Sequence, residues 1–179
     1  PRQDDMDIKF VFILGTPVRD VIDINQLWRA DSKGYVSIME DRSFEERDFY
    51  FNPDGDQFKL RSMITGHGQQ GEFIKRHHTF NLNGGEIEYD WELWDECSTI
   101  PIYPQGGTWI YDRAGWCPGN PTKLHEYNIT EYVTAGQTHS IDYGIVTASG
   151  TSNYIVNNQL VTYGEPNFSL DASVVEIIK

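Results

Sequence analysis

The stretch CSTIPIYPQGGTWIYDRAGWCPG, residues 97–119, is the part of the chain that says most about the fold. Its glycines permit close backbone approach or positive φ, and its prolines fix φ and stiffen the segment. Tyr111, Asp112 and Arg113 place a phenol, a carboxylate and a guanidinium at adjacent positions between two tryptophans. Such a rigid surface suits a sugar or a planar amide. The alternative is a structural ion pair between Asp112 and Arg113 that braces the loop, although a functional role is favoured for Arg113.

A second glycine-rich motif lies upstream. Residues 64–68 read ITGHG, Gly71, Glu72 and Phe73 follow, and a basic run KRHHT occupies residues 75–79. Both motifs resemble the second domain of the peptide-N-glycosidase F family, the bacterial amidases that remove N-linked glycans from Asn side chains.

The resemblance implies roles for particular residues. In the family, the Arg of DRAGWCPG faces the active-site cleft and the Glu of the upstream motif is an active-site acid, so Arg113 and Glu72 are expected to be catalytic. The plain alternative for Glu72 is a solvated side chain in a glycine-rich loop. The resemblance also implies a Cys97–Cys117 disulfide, and substrate-binding roles are expected for four residues, His67, Trp109, Tyr111 and Asp112. Trp116 is expected to be structural, because a Trp beside a disulfide commonly packs in a core.

Two features depart from the family pattern. Gln70 and Ile74 stand where family members often carry cysteines on each side of the Glu, so the small bridge that would clamp the Glu72 loop is absent. His67 occupies a position where some members place a Trp. Both departures concern the grip on substrate and the pose of Glu72, and neither affects the expected fold.

The beginning of the chain resembles a different part of the family. Residues 7–17, DIKFVFILGTP, are similar to the end of the first jelly-roll domain, where a final strand closes with Gly-Thr-Pro. We therefore expect residues 1–16 to be a terminal strand left from a preceding jelly-roll domain and residues 17–179 to form a C-terminal jelly-roll domain. The chain is read as a processed or trimmed product.

The resemblance also sets an expectation for the reaction. It implies hydrolysis of the amide that joins an Asn side chain to N-acetylglucosamine, on N-linked glycopeptides or glycoproteins. In the family the principal catalytic Asp belongs to the first domain, and no position of this chain matches it. The expected partners are therefore an N-linked glycan on Asn and the N-terminal jelly-roll domain of the same parent protein, and the chain alone is expected to be inactive or nearly so.

Hydrophobic periodicity predicts an all-β protein, a sandwich or a barrel. The long loop around residues 97–117 and the family resemblance favour an antiparallel jelly-roll β-sandwich. No convincing amphipathic helix exceeds two turns. An Asn-Gly-Gly turn at 83–85 predicts a hairpin, the apolar strand at 8–14 is expected to be covered on both faces, and Asn157 and Asn158 are expected to form a hairpin tip. The predicted strands are 8–14, 36–40, 49–51, 58–64, 78–82, 86–89, 125–129, 139–146 and 154–163.

Composition limits the function classes. The 179 residues are 39% hydrophobic and 13% aromatic, as expected of a globular protein. A formal net charge of −13 argues against nucleic acid or an anionic membrane as a partner, and no apolar run approaches the roughly 20 residues that span a bilayer. A disulfide would place the protein in an oxidising compartment, secreted, periplasmic or on a bacterial cell surface. Reduced, buried thiols in a cytosolic protein are the alternative.

Metal-dependent functions were weighed as alternatives. His67, Glu72, His77 and His78 suggest a divalent-metal site of cupin type, but His77 and His78 are adjacent and would point to opposite faces of a strand. Residues 52–56 are rich in Asp and Asn but miss the EF-hand spacing. Three methionines are few for a copper monooxygenase. No metal and no cofactor are therefore expected.

A non-catalytic glycan-binding or adhesion module is the other open alternative. A degenerate amidase domain would keep the aromatic loops and lose the partner acid. An intact upstream domain with an Asp near its cleft would favour the enzyme.

Overall fold

The structure is a computed structural model that describes residues 9–100, 107–146 and 151–167. The strands are β1 (Arg19–Gly34), β2 (Arg47–Tyr50), β3 (Gln57–His67), β4 (Arg76–Leu82), β5 (Ile87–Leu93), β6 (His125–Asn128), β7 (Thr138–Ile145) and β8 (Asn153–Pro166). The helices are α1 (Tyr35–Met39) and α2 (Gln69–Glu72), and 3-10 turns occupy Cys97–Thr99 and Thr130–Tyr132. No described helix is long and apolar enough to cross a bilayer.

The strands form two four-stranded antiparallel sheets, ordered β1-β8-β3-β6 and β2-β7-β4-β5. Strict alternation in β3 buries every second side chain, including Phe58, Leu60 and Ile64. Phe58 meets Phe51 edge to face, with ring centroids 5.1 Å apart, in the core between the two sheets. The predicted all-β antiparallel sandwich is confirmed.

Most of the predicted strands are confirmed. The Asn-Gly-Gly turn joins β4 to β5 as expected, because Asn83, Gly84 and Gly85 all take positive φ while Leu82 pairs with Ile87. Both described helices are short, at five and four residues, as the lack of helical periodicity indicated.

Three local predictions are wrong. Residues 36–40 belong largely to helix α1, whose Tyr35 and Ile38 are buried. Asn157 and Asn158 form no hairpin tip, because β8 runs straight through them between two neighbours, and Asn158 pairs with both Trp28 and Ser62. A buried hydrogen bond of 2.6 Å from Ser62 Oγ to the Asn158 side chain explains why a polar residue sits inside this sheet.

The third wrong prediction is the apolar strand at 8–14. Residues 9–14 form no strand and are covered on neither face, with Leu14 97% exposed. The long strand β1 begins later and was missed, because most of its residues are exposed and its pairing with β8 shifts register repeatedly. A bulged edge strand with little burial has no clean period of two. The rest of the predicted terminal segment, residues 1–8, lies outside the described residues.

Candidate functional site

Three segments that are distant in sequence meet at one end of the sandwich. They are the end of β3, helix α2 and the loop that contains residues 107–119. Backbone hydrogen bonds join them, from Gly66 N to Ala114 O at 2.9 Å and from Ala114 N to Glu72 O at 3.0 Å. Ala114 therefore lies between the two glycine-rich motifs, and its neighbour Arg113 is brought to Glu72.

Glycine makes this close approach possible. Gly115 takes a φ of 79°, and a Cβ there would collide with the carbonyl oxygen of Ile64. A Cβ on Gly66 would collide with the carbonyl oxygen of Gly71. These collisions involve backbone atoms that cannot move aside without displacing β3 or α2, so both glycines are required by the contact itself.

Glu72 and Arg113 form a salt bridge between Oε1 and Nη1. The Arg113 side chain is 5% exposed, while the Glu72 side chain is 17% exposed. The two residues that the sequence singled out as catalytic are thus in direct contact. The carboxylate reaches solvent and the guanidinium lies behind it.

Other groups hold the Arg113 guanidinium in place. Nη2 donates to the carbonyl oxygen of Thr108 at 2.7 Å and contacts its Oγ1 at 3.0 Å. The guanidinium carbon lies 5.0 Å from the ring centroid of Phe73 and 4.7 Å from that of Trp116, so aromatic rings contact the cation. The resemblance implies that Arg113 faces the active-site cleft, and in the structure its side chain is buried and its charge is paired with Glu72.

His67 extends this stack. Its ring lies 5.9 Å from that of Trp116 at an interplanar angle of 24°, and its Nε2 is 2.8 Å from Thr65 Oγ1. The Trp116 indole N–H donates to Gly66 O at 3.0 Å. Trp116 therefore contacts His67 and Arg113 through its ring and β3 through its nitrogen, which agrees with the structural role expected for it.

Of the remaining predicted binding residues, Trp109 and Asp112 contact other parts of the loop, whereas Tyr111 is exposed. Trp109 is 9% exposed and packs with the disulfide and Ile100, while Asp112 Oδ1 accepts a hydrogen bond of 3.2 Å from the backbone of Cys97. Asp112 thus braces the loop through a backbone contact and makes no ion pair with Arg113. Tyr111 is 56% exposed. Pro104 and Gly106, invoked for loop rigidity, lie outside the described residues.

Covalent and polar contacts fix the loop. The predicted Cys97–Cys117 disulfide is confirmed, with Cα atoms 5.3 Å apart. Gln70, at one of the two positions where a family cysteine was missing, accepts a hydrogen bond of 3.0 Å from the Tyr35 hydroxyl. The α2 turn is thereby attached to α1 by a hydrogen bond and to Ala114 through the Glu72 carbonyl.

Thr108, Phe73 and Trp116 hold the guanidinium and were not predicted to do so. The sequence offered a clue for Phe73 and Trp116, because Phe73 belongs to the motif that contains Glu72 and Trp116 to the motif that contains Arg113. Thr108 had none, because its contact is made partly by a backbone carbonyl that any residue would supply.

The histidines of the metal alternative are separated in the structure. His77 is exposed and contacts Asp90 Oδ1 at 2.6 Å, whereas His78 is buried and contacts the Tyr143 hydroxyl at 2.7 Å. They lie on opposite faces of β4, as predicted. Burial, with a smaller contribution from nearby cationic groups, lowers the pKa of His78 to about 3. Among the described residues no group of three His, Cys, Asp or Glu side chains is placed to hold a metal ion.

A depression of about 340 Å³ lies beside the disulfide, where Trp116 and the residues that follow Cys117 form part of its wall. Asp95, Glu96, Asn120 and Lys123 line it together with Trp116. Asp95 also pairs with Arg113 through reciprocal backbone hydrogen bonds of 2.8 and 3.1 Å. One lining residue of the depression is therefore joined to the backbone of Arg113.

Comparison with known proteins identifies solved structures with the same fold. PNGase F, a glycosylasparaginase from Flavobacterium meningosepticum, has the same fold, with a TM-score of 0.69 and 23% identity over 88% of this chain and 56% of that one. A structure of peptide-N(4)-(N-acetyl-beta-D-glucosaminyl) asparagine amidase gives a TM-score of 0.66 and 23% identity over the same shares of the two chains. PNGF-II gives 0.53 and 24% identity over 69% of this chain and 25% of that one.

These structures confirm the predicted jelly-roll fold, and the chain spans 56% of the length of the first two. No curated protein sequence matches it. The family model described as "Peptide-N-glycosidase F, C terminal" matches residues 34–162. The chain belongs to the peptide-N-glycosidase F family and carries its C-terminal domain.

Proposed function

We propose that this chain forms part of a hydrolase that cleaves the amide between an Asn side chain and N-acetylglucosamine in N-linked glycopeptides and glycoproteins. The observation that carries the proposal is the salt bridge between Glu72 and Arg113, which unites the two motifs that resemble the family. A preceding jelly-roll domain of the same parent protein completes the site and supplies the principal catalytic acid.

The proposed reaction is an amide hydrolysis. Water adds to the side-chain carbonyl carbon, the carbon–nitrogen bond breaks, and Asp and a glycosylamine are formed. A second water then hydrolyses the glycosylamine to free sugar and ammonia. Such a step requires a group that positions the water and a donor for the developing charge on oxygen or nitrogen.

Glu72 is the group that contacts the water or the core sugar in this proposal. Arg113 occupies Oε1, so Oε2 is the acceptor left for a water or a sugar hydroxyl among the described contacts. The backbone bond from Ala114 N to Glu72 O fixes the residue on the rigid end of the sandwich. A carboxylate held by one salt bridge, on a residue whose backbone is also hydrogen-bonded, is preorganised for one geometry.

Arg113 acts through Glu72 as a positioning residue. Its burial, its salt bridge and its two bonds to Thr108 leave it no open face for substrate. This assignment refines the expected catalytic role. Tyr111 and His67 remain the proposed substrate contacts. Trp109, which is buried, and Asp112, which accepts a hydrogen bond from the Cys97 backbone, are proposed to act by shaping the loop.

A non-catalytic glycan-binding module is the second candidate. It is favoured by the internal neutralisation of Arg113, whose charge is paired with Glu72 inside the chain. In that case the same loop would bind an N-linked core without cleaving it.

The decisive experiment is mass spectrometry of an N-glycopeptide incubated with this chain, alone and together with the preceding jelly-roll domain. Release of the glycan with conversion of Asn to Asp by the mixture alone supports the split site. Release by the isolated chain would place the principal acid here, and no release in either case favours the binding module.

A matched pair of variants tests the role of Glu72. Glu72→Gln in the assembled protein is expected to lower the rate of release by about 100-fold or more. Glu92→Gln, which removes an exposed carboxylate paired with Lys75, is expected to leave the rate unchanged. Equal rates for the two variants would exclude Glu72 from the reaction.

The proposed location is outside the cytosol, secreted, periplasmic or on a bacterial cell surface. The Cys97–Cys117 disulfide supports it, because structural disulfides persist in oxidising compartments.

A further inference from the structure

A second pocket lies away from Glu72, between β1 and the segment that leads into β2. Its volume is about 380 Å³, and Trp28 and Phe44 contribute aromatic carbon to its lining. Their rings meet edge to face with centroids 6.5 Å apart. Pockets of this size are typical of small-ligand sites. We call it the β1–β2 pocket.

The charges that line this pocket differ from those of the chain as a whole. Four cations line it, Arg29, Lys33, Arg42 and Arg47, against two carboxylates, Asp31 and Glu45. The whole chain has a formal net charge of −13. A cationic lining on a strongly acidic protein selects locally for a negatively charged group that the rest of the surface repels.

Three of these four cations are paired with a neighbouring carboxylate, and Lys33 lies 2.8 Å from Asp31 Oδ2. Arg47 donates to the carbonyl oxygen of Leu27 at 3.2 Å and to Glu45 at 3.0 Å, and Arg42 donates through Nε and Nη2 to Glu40. A guanidinium fixed along one edge keeps further N–H donors for a ligand.

Arg29 differs from the other three. It is exposed, and its side chain makes no hydrogen bond or ion pair within the described parts of the chain. It is therefore the cation whose charge a ligand would meet without displacing a carboxylate.

Two of the acidic residues in the loop between α1 and β2 lie away from the pocket. Asp41 and Glu46 do not line the pocket, and both contribute to raising the pKa of Asp142 on β7 to about 6, although burial of that carboxyl is the larger cause. Their negative charge acts on the β7 side of the loop. The loop thus presents Arg42 and Arg47 to the pocket and separates them from two of its acids.

Backbone strain marks the same loop independently. Phe44 has a φ of 62°, a conformation that bulky residues rarely adopt, and its side chain is nevertheless 6% exposed. This conformation places the ring against Trp28 while the flanking residues, Ser43 and Glu45, line the pocket. Residues held in rarely populated conformations cluster at functional sites, because the surrounding structure must stabilise them.

We infer that the β1–β2 pocket binds an acidic sugar, one that carries a carboxylate. Arg29 with the anchored guanidinium groups binds the carboxylate, and Ser43, Asp31 and Glu45 take the hydroxyl groups. The nearly buried Trp28 and Phe44 contribute only the apolar floor beneath the sugar. The site is a binding site separate from the amidase chemistry. It gives the protein a preference for glycans that end in an acidic residue.

The test is a titration of this chain with 3′-sialyllactose, followed by two-dimensional NMR of backbone amides and tryptophan indoles. Saturable shifts confined to residues 28–47 are expected with 3′-sialyllactose and are not expected with lactose, which lacks the carboxylate. Sodium sulfate provides a third arm. Shifts of equal size at equal concentration with sulfate would show an oxyanion site without sugar recognition and would overturn the inference.

Variants separate recognition from general electrostatics. Arg29→Gln is expected to weaken 3′-sialyllactose binding by about tenfold or more, and Arg29→Lys by less. Lys59→Gln removes the same charge outside the pocket and should leave the affinity unchanged. Equal losses in R29Q and K59Q, or no saturable shift in the unaltered chain, would exclude the site. Because the assay needs no hydrolysis, its result is independent of whether the chain contributes to an amidase.

Discussion

Glu72 and Arg113 lie 41 positions apart in the sequence and form a salt bridge in which the cation is the more deeply buried partner. The carboxylate comes from a four-residue helix and the guanidinium from a disulfide-closed loop. This contact requires the end of β3, helix α2 and the loop to be positioned together. The contribution of the Glu72–Arg113 salt bridge to the free energy of unfolding therefore reports how well the three segments of the candidate site are positioned.

Removal of the cation should destabilise the fold. Arg113→Ala leaves Glu72 partly buried without its counter-charge and opens a gap between Phe73 and Trp116, so we expect a loss of about 3 kcal/mol in the free energy of unfolding. Urea denaturation measures it. The control is Arg61→Ala, which breaks a more exposed pair with Glu126 and should cost less than about 1 kcal/mol. Equal losses would mean that the buried Arg113–Glu72 pair stabilises the fold no more than the exposed Arg61–Glu126 pair does.

Gly115 offers a test of the close approach between the two motifs. Gly115→Ala should cost more than Gly84→Ala, although both glycines take positive φ, at 79° and 71°. The conformational penalty of about 1 kcal/mol is common to both. Only at Gly115 does the new methyl group collide with the Ile64 carbonyl, since nothing lies within 4 Å of a Cβ on Gly84. Thermal unfolding of the two variants provides the comparison.

Similar melting temperatures for G115A and G84A would contradict this account. They would show that the loop and β3 separate at little cost, and that the geometry around Arg113 is less rigid than the backbone contacts indicate.

His78 should make stability depend on pH. Burial lowers its pKa from 6.5 to about 3, so the unfolded chain takes up a proton below pH 6.5 that the folded chain does not bind until about pH 3. The stabilising contribution is complete above the unfolded value and is lost as the pH falls. Its expected slope is about 1.4 kcal/mol per pH unit within that window.

Asp142 acts in the opposite direction. Its pKa is raised from 3.8 to about 6, mainly by burial, so between these values the folded chain binds the proton more readily and this group favours folding at the lower pH. Asp142→Asn removes that compensation. Urea unfolding between pH 6 and pH 4 should therefore show stability falling more steeply with decreasing pH in D142N than in the unaltered chain, and coincident slopes would refute the assignment.

The disulfide should contribute through the loop it closes. With 20 positions between Cys97 and Cys117, reduction is expected to cost about 3 kcal/mol. For a chain of this size that corresponds to a fall in melting temperature of roughly 6–12 °C. Calorimetry with and without a phosphine reductant measures the change. The C97S/C117S variant should melt near the reduced protein and should not respond to reductant, and an equal response would assign the effect to something other than the bridge.

Local patterns predicted much of the sandwich because burial on one face of a strand leaves a period of two. β3 shows this in its strict alternation, and the turn at 83–85 has the residues that positive φ requires. β1 shows no period of two, because it is largely exposed and bulged. α1 was missed because its five residues are too few to show a helical period. Asn157 and Asn158 were predicted to form a turn because Asn is a common turn residue. The Ser62 side chain that pairs with Asn158 lies on a neighbouring strand, and the sequence of β8 alone does not indicate it.

The sequence by itself determined the all-β class, the family, the disulfide partners and the two residues of the candidate site, because these depend on periodicity and on motifs short enough to read locally. Only the tertiary structure decided that Arg113 is buried against Phe73 and Trp116, that Asp112 braces the loop backbone, and that cations gather between β1 and β2. The physical reason is that these contacts depend on which segments the packed sheets bring together. Strand register and loop closure set those distances, and no local pattern records them.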